Sequence, residues 1–547
     1  MIPKGMKLEA AGDADLDLTT NFKMSQLQKR AFEKVNAMGS LKLREVDVTY
    51  DNMHLTAPKM AISLQMPVPE KGRLGHARIV SDKINLSRGK NLKAEMESAD
   101  IDLKVNNMMK EQLAAPFNIE LGALEAEKDS MNASLDGLKL AGSVRLDSTQ
   151  RNLIKQYNPQ FNATTHNVLL YMPKMPEAVR LAELDLAYSP TLCNIKTAKA
   201  RIGHSDIELY GTVSNLEDWL DNKAMLKGDL NLTSEYADVD QLMNMISGIG
   251  SNADSLKSMR KEDAVPEEAN PFIVPCNVNV TLNTHIKRSI AFGNDLHDVA
   301  GALTVNDGRV VLDQMGFVCK AARMQLTALY RSPRPGNLFA AIDFHLLDIQ
   351  IDELLNMIPA VDTLVPMLSA FDGKANFHLA GESYLDAFYR PKMSSLKGAA
   401  AISGQDLVVM DNSDLSTIAK LMRFKSWRDK DNKIKIDSLS VEMTCMDVGH
   451  GTEIEVLPFL LSMGSYQICI SGVQQFNKDC VYHLELLKNP LLAKVGVDVK
   501  GSITKPKISL GKVIYADLFR PKYQGVADKK AMEIKNKVRQ ALEANVR

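Results

Sequence analysis

The sequence predicts a mainly β protein with short helices: an elongated, twisted antiparallel sheet that curls along its length into a groove. Three observations lead there. Apolar and polar residues alternate with a period of two through most of the 547 residues, the pattern of strands with one buried face. Short stretches rich in Asn, Asp and Gly, such as "SLDGLKL", "TVNDGRV" and "DKDNK", separate the runs and favour tight reversals, because these residues tolerate positive φ. One strand-into-helix segment is also written twice, as "ADVDQLMNMI" (237–246) and "IQIDELLNMI" (349–358). At an offset of 352 − 240 = 112 residues, Asp240 matches Asp352, Leu242 matches Leu354, and Asn244, Met245 and Ile246 match Asn356, Met357 and Ile358. Upstream, Leu226, Leu230 and Leu232 match Leu338, Ile342 and Phe344, so the strand register repeats with the helix.

In chain order, a first β-groove segment covers 1–247. It opens with a strand, a helix over Met24–Val35 and a second strand. "KMAISLQMP" then sets Met60, Ile62, Leu64 and Met66 on one face, and "DIDLKV" does so with Ile101, Leu103 and Val105. Ile207 and Leu209, then Leu230 and Leu232, alternate in the strands before the helix that begins at Asp240 and runs to Ile246. Residues 248–275 are polar, charged and proline-bearing and read as a loop or linker. A second repeat segment covers 276–390, with Ile342, Phe344 and Leu346 alternating ahead of a helix over Ile351–Met357. A C-terminal β region covers 391–525 and includes a helix over Ser413–Arg423. Here Val495, Val497 and Val499 share a face, followed after Pro506 by Ile508 and Leu510. A proline in such a run implies an edge strand or a bulge, since it cannot donate a ladder hydrogen bond. The final segment, 526–547, carries Ile534, Val538, Leu542 and Val546 at four-residue spacing among Lys and Arg. This is an amphipathic helix, fit either to cap the sheet or to lie on a membrane or a partner.

Composition excludes several classes. A formal charge of −1, from 66 basic and 67 acidic residues, gives no footprint for a phosphate backbone, so nucleic acid is not an expected partner. Six cysteines without a C-x-x-C pair lack zinc-ligand spacing and read as small buried hydrophobes, their disulfide state open. Met is abundant (28) and aromatics scarce (6%), so the apolar surface is soft and adaptable. No run reaches the roughly 18–20 apolar residues that span a bilayer, and the opening residues lack the apolar core of a signal peptide.

Catalytic and metal motifs are missing. "GIGSNA" (248–253) fits a loose dinucleotide pattern but follows a helix where a strand is required. Asp13, Asp15 and Asp17 have calcium-loop spacing, yet Leu18 and Met24 occupy the positions of the required Gly and bidentate Glu. The ten histidines form no H-E-x-x-H pair; His450 and His483 read as structural, and Glu453 and Glu455 as a polar outer face. No catalytic residue, metal ligand or cofactor is expected, and the protein reads as a non-enzyme.

The ordered motifs resemble the AsmA family of bacterial envelope proteins, related to TamB and to the wider superfamily of repeating β-groove lipid-transfer proteins. They are "SDIELYGTVSNLEDW", "MLKGDLNLTSEYADVDQLMNMI", "SSLKGAAAISGQDLVVMDNSDLSTIAKLM", "TEIEVLPFLLSMGSYQICISGVQQFNKDCVYHLELL" and "VDVKGSITKPKISL". The resemblance covers most of the chain and is best from about Asp206 to Leu510. It implies a periplasmic protein that moves phospholipid or assists outer-membrane assembly. The expected anchor is an N-terminal inner-membrane helix that is absent from this chain. The implied partners are phospholipid or another acyl lipid, membrane surfaces at one or both ends, and outer-membrane assembly proteins.

On this reading Ile207, Leu209, Leu230, Leu232, Ile342, Phe344 and Leu346 are candidates for an apolar groove face. The alternative is a structural or adaptor protein of the envelope, whose alternating face is a closed core without cargo; periodicity looks the same in both cases.

Overall fold

A computed structural model of the chain describes residues 8–21, 23–24, 36–66, 74–89, 92–105, 114–146, 156–172, 177–220, 223–242, 266, 269, 271–291, 293–357, 371–409, 434–449, 451–475, 479–488, 494–502, 506–516 and 519–543. The protein is mainly β, built of open, twisted antiparallel sheet with a few short helices. It divides into two compact units, Met1–Ile249 and Gly250–Arg547.

The first unit holds β1 (Leu8–Asn21), β2 (Asn36–Tyr50), β3 (Met53–Gln65), β4 (Gly75–Arg88), β5 (Leu92–Val105), β6 (Ala114–Lys128), β7 (Met131–Arg145), β8 (Gln160–Tyr171), β9 (Val179–Tyr188), β10 (Leu192–Ile202), β11 (Ser205–Ser214) and β12 (Leu226–Asp238). Each pairs antiparallel with the next, as a simple meander. A short helix α1 (Leu216–Leu220), which the sequence reading did not anticipate, lies between β11 and β12.

The second unit continues the pattern with β13 (Val278–Ala291), β14 (Asn294–Asn306), β15 (Arg309–Val318), β16 (Arg323–Arg334), β17 (Asn337–Gln350), β18 (Phe371–Leu385), β19 (Lys397–Val409), β20 (Ile434–Asp447), β21 (Thr452–Met463), β22 (Tyr466–Gln475), β23 (Asp479–Lys488), β24 (Val495–Ser502) and β25 (Lys507–Gly511). Again each strand pairs antiparallel with its successor. Helix α2 (Ile351–Met357) follows β17, and α3 (Val526–Glu543) follows β25. Among the described residues, no helix is long and apolar enough to cross a membrane.

The repeated segment is a repeated structure. β12 ends at Asp238 and β17 at Gln350, the same 112-residue offset, and helix begins directly after each, at 239–242 and at Ile351. In the first copy Asp238 accepts the Gln241 backbone N–H at 2.9 Å, satisfying one of the orphan donors at a helix start. In the second, Ile351 and Leu354 are buried in the core. Expected helices over Met24–Val35 and Ser413–Arg423 fall outside the described residues, apart from helical Met24.

Two readings of turn chemistry divide. "TVNDGRV" is the tight β14–β15 reversal, with Asp307 at φ 45° and Gly308 at φ 76°, the paired positive angles of a two-residue hairpin. "SLDGLKL" is not a turn: β7 runs straight through it. Gly137, at φ 58°, instead sits where the β7–β8 register shifts, between Asp136 and Lys139. This is a bulge, which bends a strand and increases its twist. Asp298, Gln314 and Asp348, all at positive φ, mark comparable shifts in the second unit. Pro506 likewise lies just before β25 rather than inside a strand.

The described part of the expected linker is packed, not loose. Phe272 accepts a hydrogen bond from the Tyr330 hydroxyl (2.8 Å) and donates its N–H to Tyr389 (2.7 Å), while the Val274 N–H reaches Ser332 at 2.8 Å. Among the described residues no two cysteines are joined in a disulfide; Cys319, Cys469 and Cys480 are buried as expected, Cys193 and Cys445 are half-buried, and Cys276 is exposed, contrary to the buried reading, because it precedes β13 in a loop.

α3 docks on the sheet of the second unit. Ala531, Ile534, Val538 and Ala541 pack on Val311, Leu329, Ala341 and Ala380; alanines on both sides let helix and sheet approach closely. The sheet caps both helix ends. Buried Glu442 accepts the N–H groups of Gln524 (2.6 Å) and Val526 (2.9 Å), and Asn306 donates to the carbonyls of Ala541 (2.7 Å) and Leu542 (3.3 Å). A carboxylate at the N-terminus and a donor at the C-terminus match the helix dipole.

Candidate functional site

The strand registers of the first unit align one side-chain row across all twelve strands. Its members are Leu16, Leu41, Ile62, Ile79, Ile101, Ile119, Leu140, Ala163, Leu186, Ile195, Gly211 and Leu230. No polar residue interrupts it. A second row two residues along each strand runs beside it, from Leu18 through Gly39, Leu64, Ala77, Leu103, Phe117, Gly142, Phe161, Tyr188, Cys193 and Val213 to Gly228. With strands about 4.8 Å apart, eleven intervals give a strip of roughly 53 Å measured across the sheet.

Exposure gives this strip its character. From Leu41 to Leu230 the first row is half-buried, apart from buried Ala163, and Leu16 is 66% exposed. The intervening row is polar at six of eight strands, Lys42, Asp100, Glu120, Lys139, Thr164 and Asp185, with Ala61 and Val80 between them. On that face Arg78 and Asp100 pair at 2.9 Å and Lys199 and Glu183 at 2.7 Å. Such exposed pairs contribute little stability, but they identify the face that meets water. Asp13, Asp15 and Asp17 are exposed carboxylates on β1. Gly211 keeps the strip continuous where β11 and β12 come close: at φ 138°, a Cβ there would lie 2.2 Å from the Asp229 carbonyl oxygen.

Ile207, Leu209, Leu230 and Leu232 are half-buried; Leu209 and Leu232 are direct cross-strand partners, and Leu230 belongs to the long row. In the second row Tyr188 packs against Phe161 with ring centroids 5.1 Å apart and donates to Glu217 of α1 at 3.2 Å. Burial and the adjacent Glu217 carboxylate push the Tyr188 hydroxyl up to about 12, so it stays a neutral donor.

The second unit treats the same alternation differently. Leu346 is fully buried, and its row, Met324, Leu346, Phe377, Ile402 and Val441, is at most 8% exposed. These side chains belong to one large aliphatic and aromatic cluster, against which Phe344 packs; Ile342 is half-buried. Leu346 and Phe344 therefore touch protein.

Polar groups gather on the opposite face, under α3. Asp343, His345 and His378 bring their ligand atoms within 4.8 Å of one another. Burial pushes the Asp343 carboxyl up, but hydrogen bonds from His378 and Lys535 outweigh it and hold it below the usual carboxylate range. Burial and the neighbouring His378 lower His345. Glu382 meets Lys530 (3.1 Å) and Lys537. The sequence reading missed this group because Asp343 and His378 lie 35 residues apart; only the β17–β18 register joins them. His483, expected to be structural, pairs with Asp498 at 2.8 Å, and His450 lies outside the described residues.

Two cavities, of 620 Å³ in the first unit and 880 Å³ in the second, are lined mostly by polar side chains, among them Asn85, Glu95 and Glu125 in one and Asn376, Ser403 and Gln467 in the other. Neither includes the Ile62–Ile79–Ile101–Ile119 row. No family model matches the chain, and no curated protein matches it.

Proposed function

We propose that the chain is a non-enzymatic acyl-lipid carrier, whose working surface is the apolar strip crossing β1 to β12. One observation carries this reading: the row from Leu16 to Leu230 crosses twelve strands without a polar interruption while every member but Ala163 stays partly open to solvent. A strip of roughly 53 Å exceeds the ~30 Å hydrocarbon core of a bilayer. Several acyl chains have room along it. Burial is worth about 0.8 kcal/mol per CH₂, so two chains bind without specific ligand atoms, and head groups can stay in water. Phospholipid is the cargo this chemistry favours.

The resemblance to the AsmA family supports the finer parts: a periplasmic setting, attachment at the inner membrane, and lipid transport or outer-membrane assembly with partners at either end. Native mass spectrometry with lipid extraction tests the reading. Phospholipid at reproducible stoichiometry is expected; an apo-protein that also takes up no labelled lipid from phospholipid vesicles would remove it.

A second reading, an envelope adaptor with a closed core, is favoured by the second unit, where the corresponding face is packed with protein. Both readings coexist if the second unit is the support and the first the carrier.

A further inference from the structure

We propose that Asp343, His345 and His378 form a binding site for a divalent transition-metal ion of the zinc class, braced by Asp528 of α3. The site is independent of lipid carriage.

The sheet register builds it. His345 on β17 and His378 on β18 are direct cross-strand partners, and Asp343, two residues before His345, points to the same face. The two imidazoles stack with centroids 3.8 Å apart and planes 20° from parallel. Both Nε2 atoms meet a single carboxylate oxygen, Asp343 Oδ1, at 2.8 Å from His378 and 3.2 Å from His345. Asp343 Oδ2 is engaged by Lys535 at 3.1 Å, which orients the carboxylate and leaves Oδ1 facing the histidines.

His378 carries the second observation. Its Nδ1 lies 3.2 Å from Asp528 Oδ1, so both ring nitrogens face carboxylates. A neutral imidazole has one N–H. Without an ion Nε2–H donates to Asp343; a bound cation takes the place of that proton, and with Nδ1–H then donated to Asp528 the Nε2 lone pair and the Asp343 oxygen both face the ion. A carboxylate on the far nitrogen is what orients metal-binding histidines and raises their basicity. Two imidazole nitrogens and one carboxylate oxygen suit zinc and its neighbours in the transition series, whereas calcium and magnesium favour oxygen ligands. Asp343 is only 2% exposed, but His345 is 29% and Lys535 54% exposed, so an ion has a route in past the lysine. Once bound, it would cross-link β17 to β18 and, through Asp528, hold the N-terminal turn of α3.

The test is titration of the intact, metal-stripped protein with Zn²⁺, and with Co²⁺ for its visible absorption. One ion per chain is expected, with a rise in the melting temperature of the second unit and no competition from Mg²⁺ or Ca²⁺. Asp528→Asn removes only the brace and should weaken Zn²⁺ binding about 10-fold. His345→Ala, at the most exposed ligand, should weaken it at least about 100-fold without unfolding the sheet. Zn²⁺ binding undiminished in both His345→Ala and His378→Ala would overturn the proposal, as would a folded wild-type protein that takes up neither ion.

Discussion

Replacing Ile101 by Asp should abolish lipid uptake and leave the protein folded. Ile101 stands fifth in the twelve-strand row, between Ile79 and Ile119, and is half-buried. Its carboxylate keeps access to water in the empty protein, so the stability cost is the lost part of an isoleucine's burial, about 1 kcal/mol. With lipid bound, the carboxylate must be dehydrated against acyl chains, which costs several kcal/mol. At 1.4 kcal/mol per tenfold, an added 3–4 kcal/mol weakens uptake by a factor of several hundred. Leu346→Asp is the contrasting change. Leu346 is 0% exposed, so the same carboxylate there is buried without a partner at a cost of about 5 kcal/mol or more, comparable to the whole stability of a domain. Uptake of fluorescent phospholipid from vesicles, beside urea unfolding, separates the two. Unfolding of Ile101→Asp at the cost expected for Leu346→Asp, or undiminished uptake, would refute the open strip.

Three further outcomes are expected. Glu382 is pushed up by burial, but Lys537 and Lys530 outweigh this and hold it below 4.5; its contribution is therefore present above about pH 4.5 and lost as pH falls through the lower folded value. Glu382→Gln should cost about 1–2 kcal/mol at pH 7 and flatten the acid limb of the stability–pH profile; an unchanged limb would show that the lysine pair does not hold α3. Gly137→Val places a Cβ within 2.1 Å of the His166 ring at φ 58° and should destabilise the first unit by about 1–3 kcal/mol, read from the urea midpoint, with no change there if the bulge is dispensable. A thiol reagent should modify exposed Cys276 first and leave Cys445 and Cys469, pushed up to about 11 by burial, slow until unfolding; a fast phase that survives Cys276→Ser would contradict this order.

Strand character was legible because period-two alternation is a local property of the chain, and the repeat was legible because it returns at a fixed offset. The helix over Ile351–Met357 was placed from that pattern. What sequence could not supply was the third dimension of the pairing. An Asp-Gly pair serves equally as a hairpin turn or as a mid-strand bulge, and only the register around Gly137 decides. Alternation at Leu230 and at Leu346 looks the same, yet one side chain is half-exposed and the other sealed, because burial depends on what packs opposite. The histidine pair was hidden for the same reason.

The course of α3 across the second unit has a consequence for folding. Within each unit the strands pair with their immediate successors, so contacts form between near neighbours in sequence and hairpins can assemble independently. α3 breaks that locality. It lies across β14 to β20, and its cap at Asn306 closes a loop of 235 residues. Strands that share no hydrogen bonds thereby share a strut, and their unfolding becomes coupled. Hydrogen exchange over β14 to β20 should be lost as a single block, while the meander of the first unit opens from its outer strands inward.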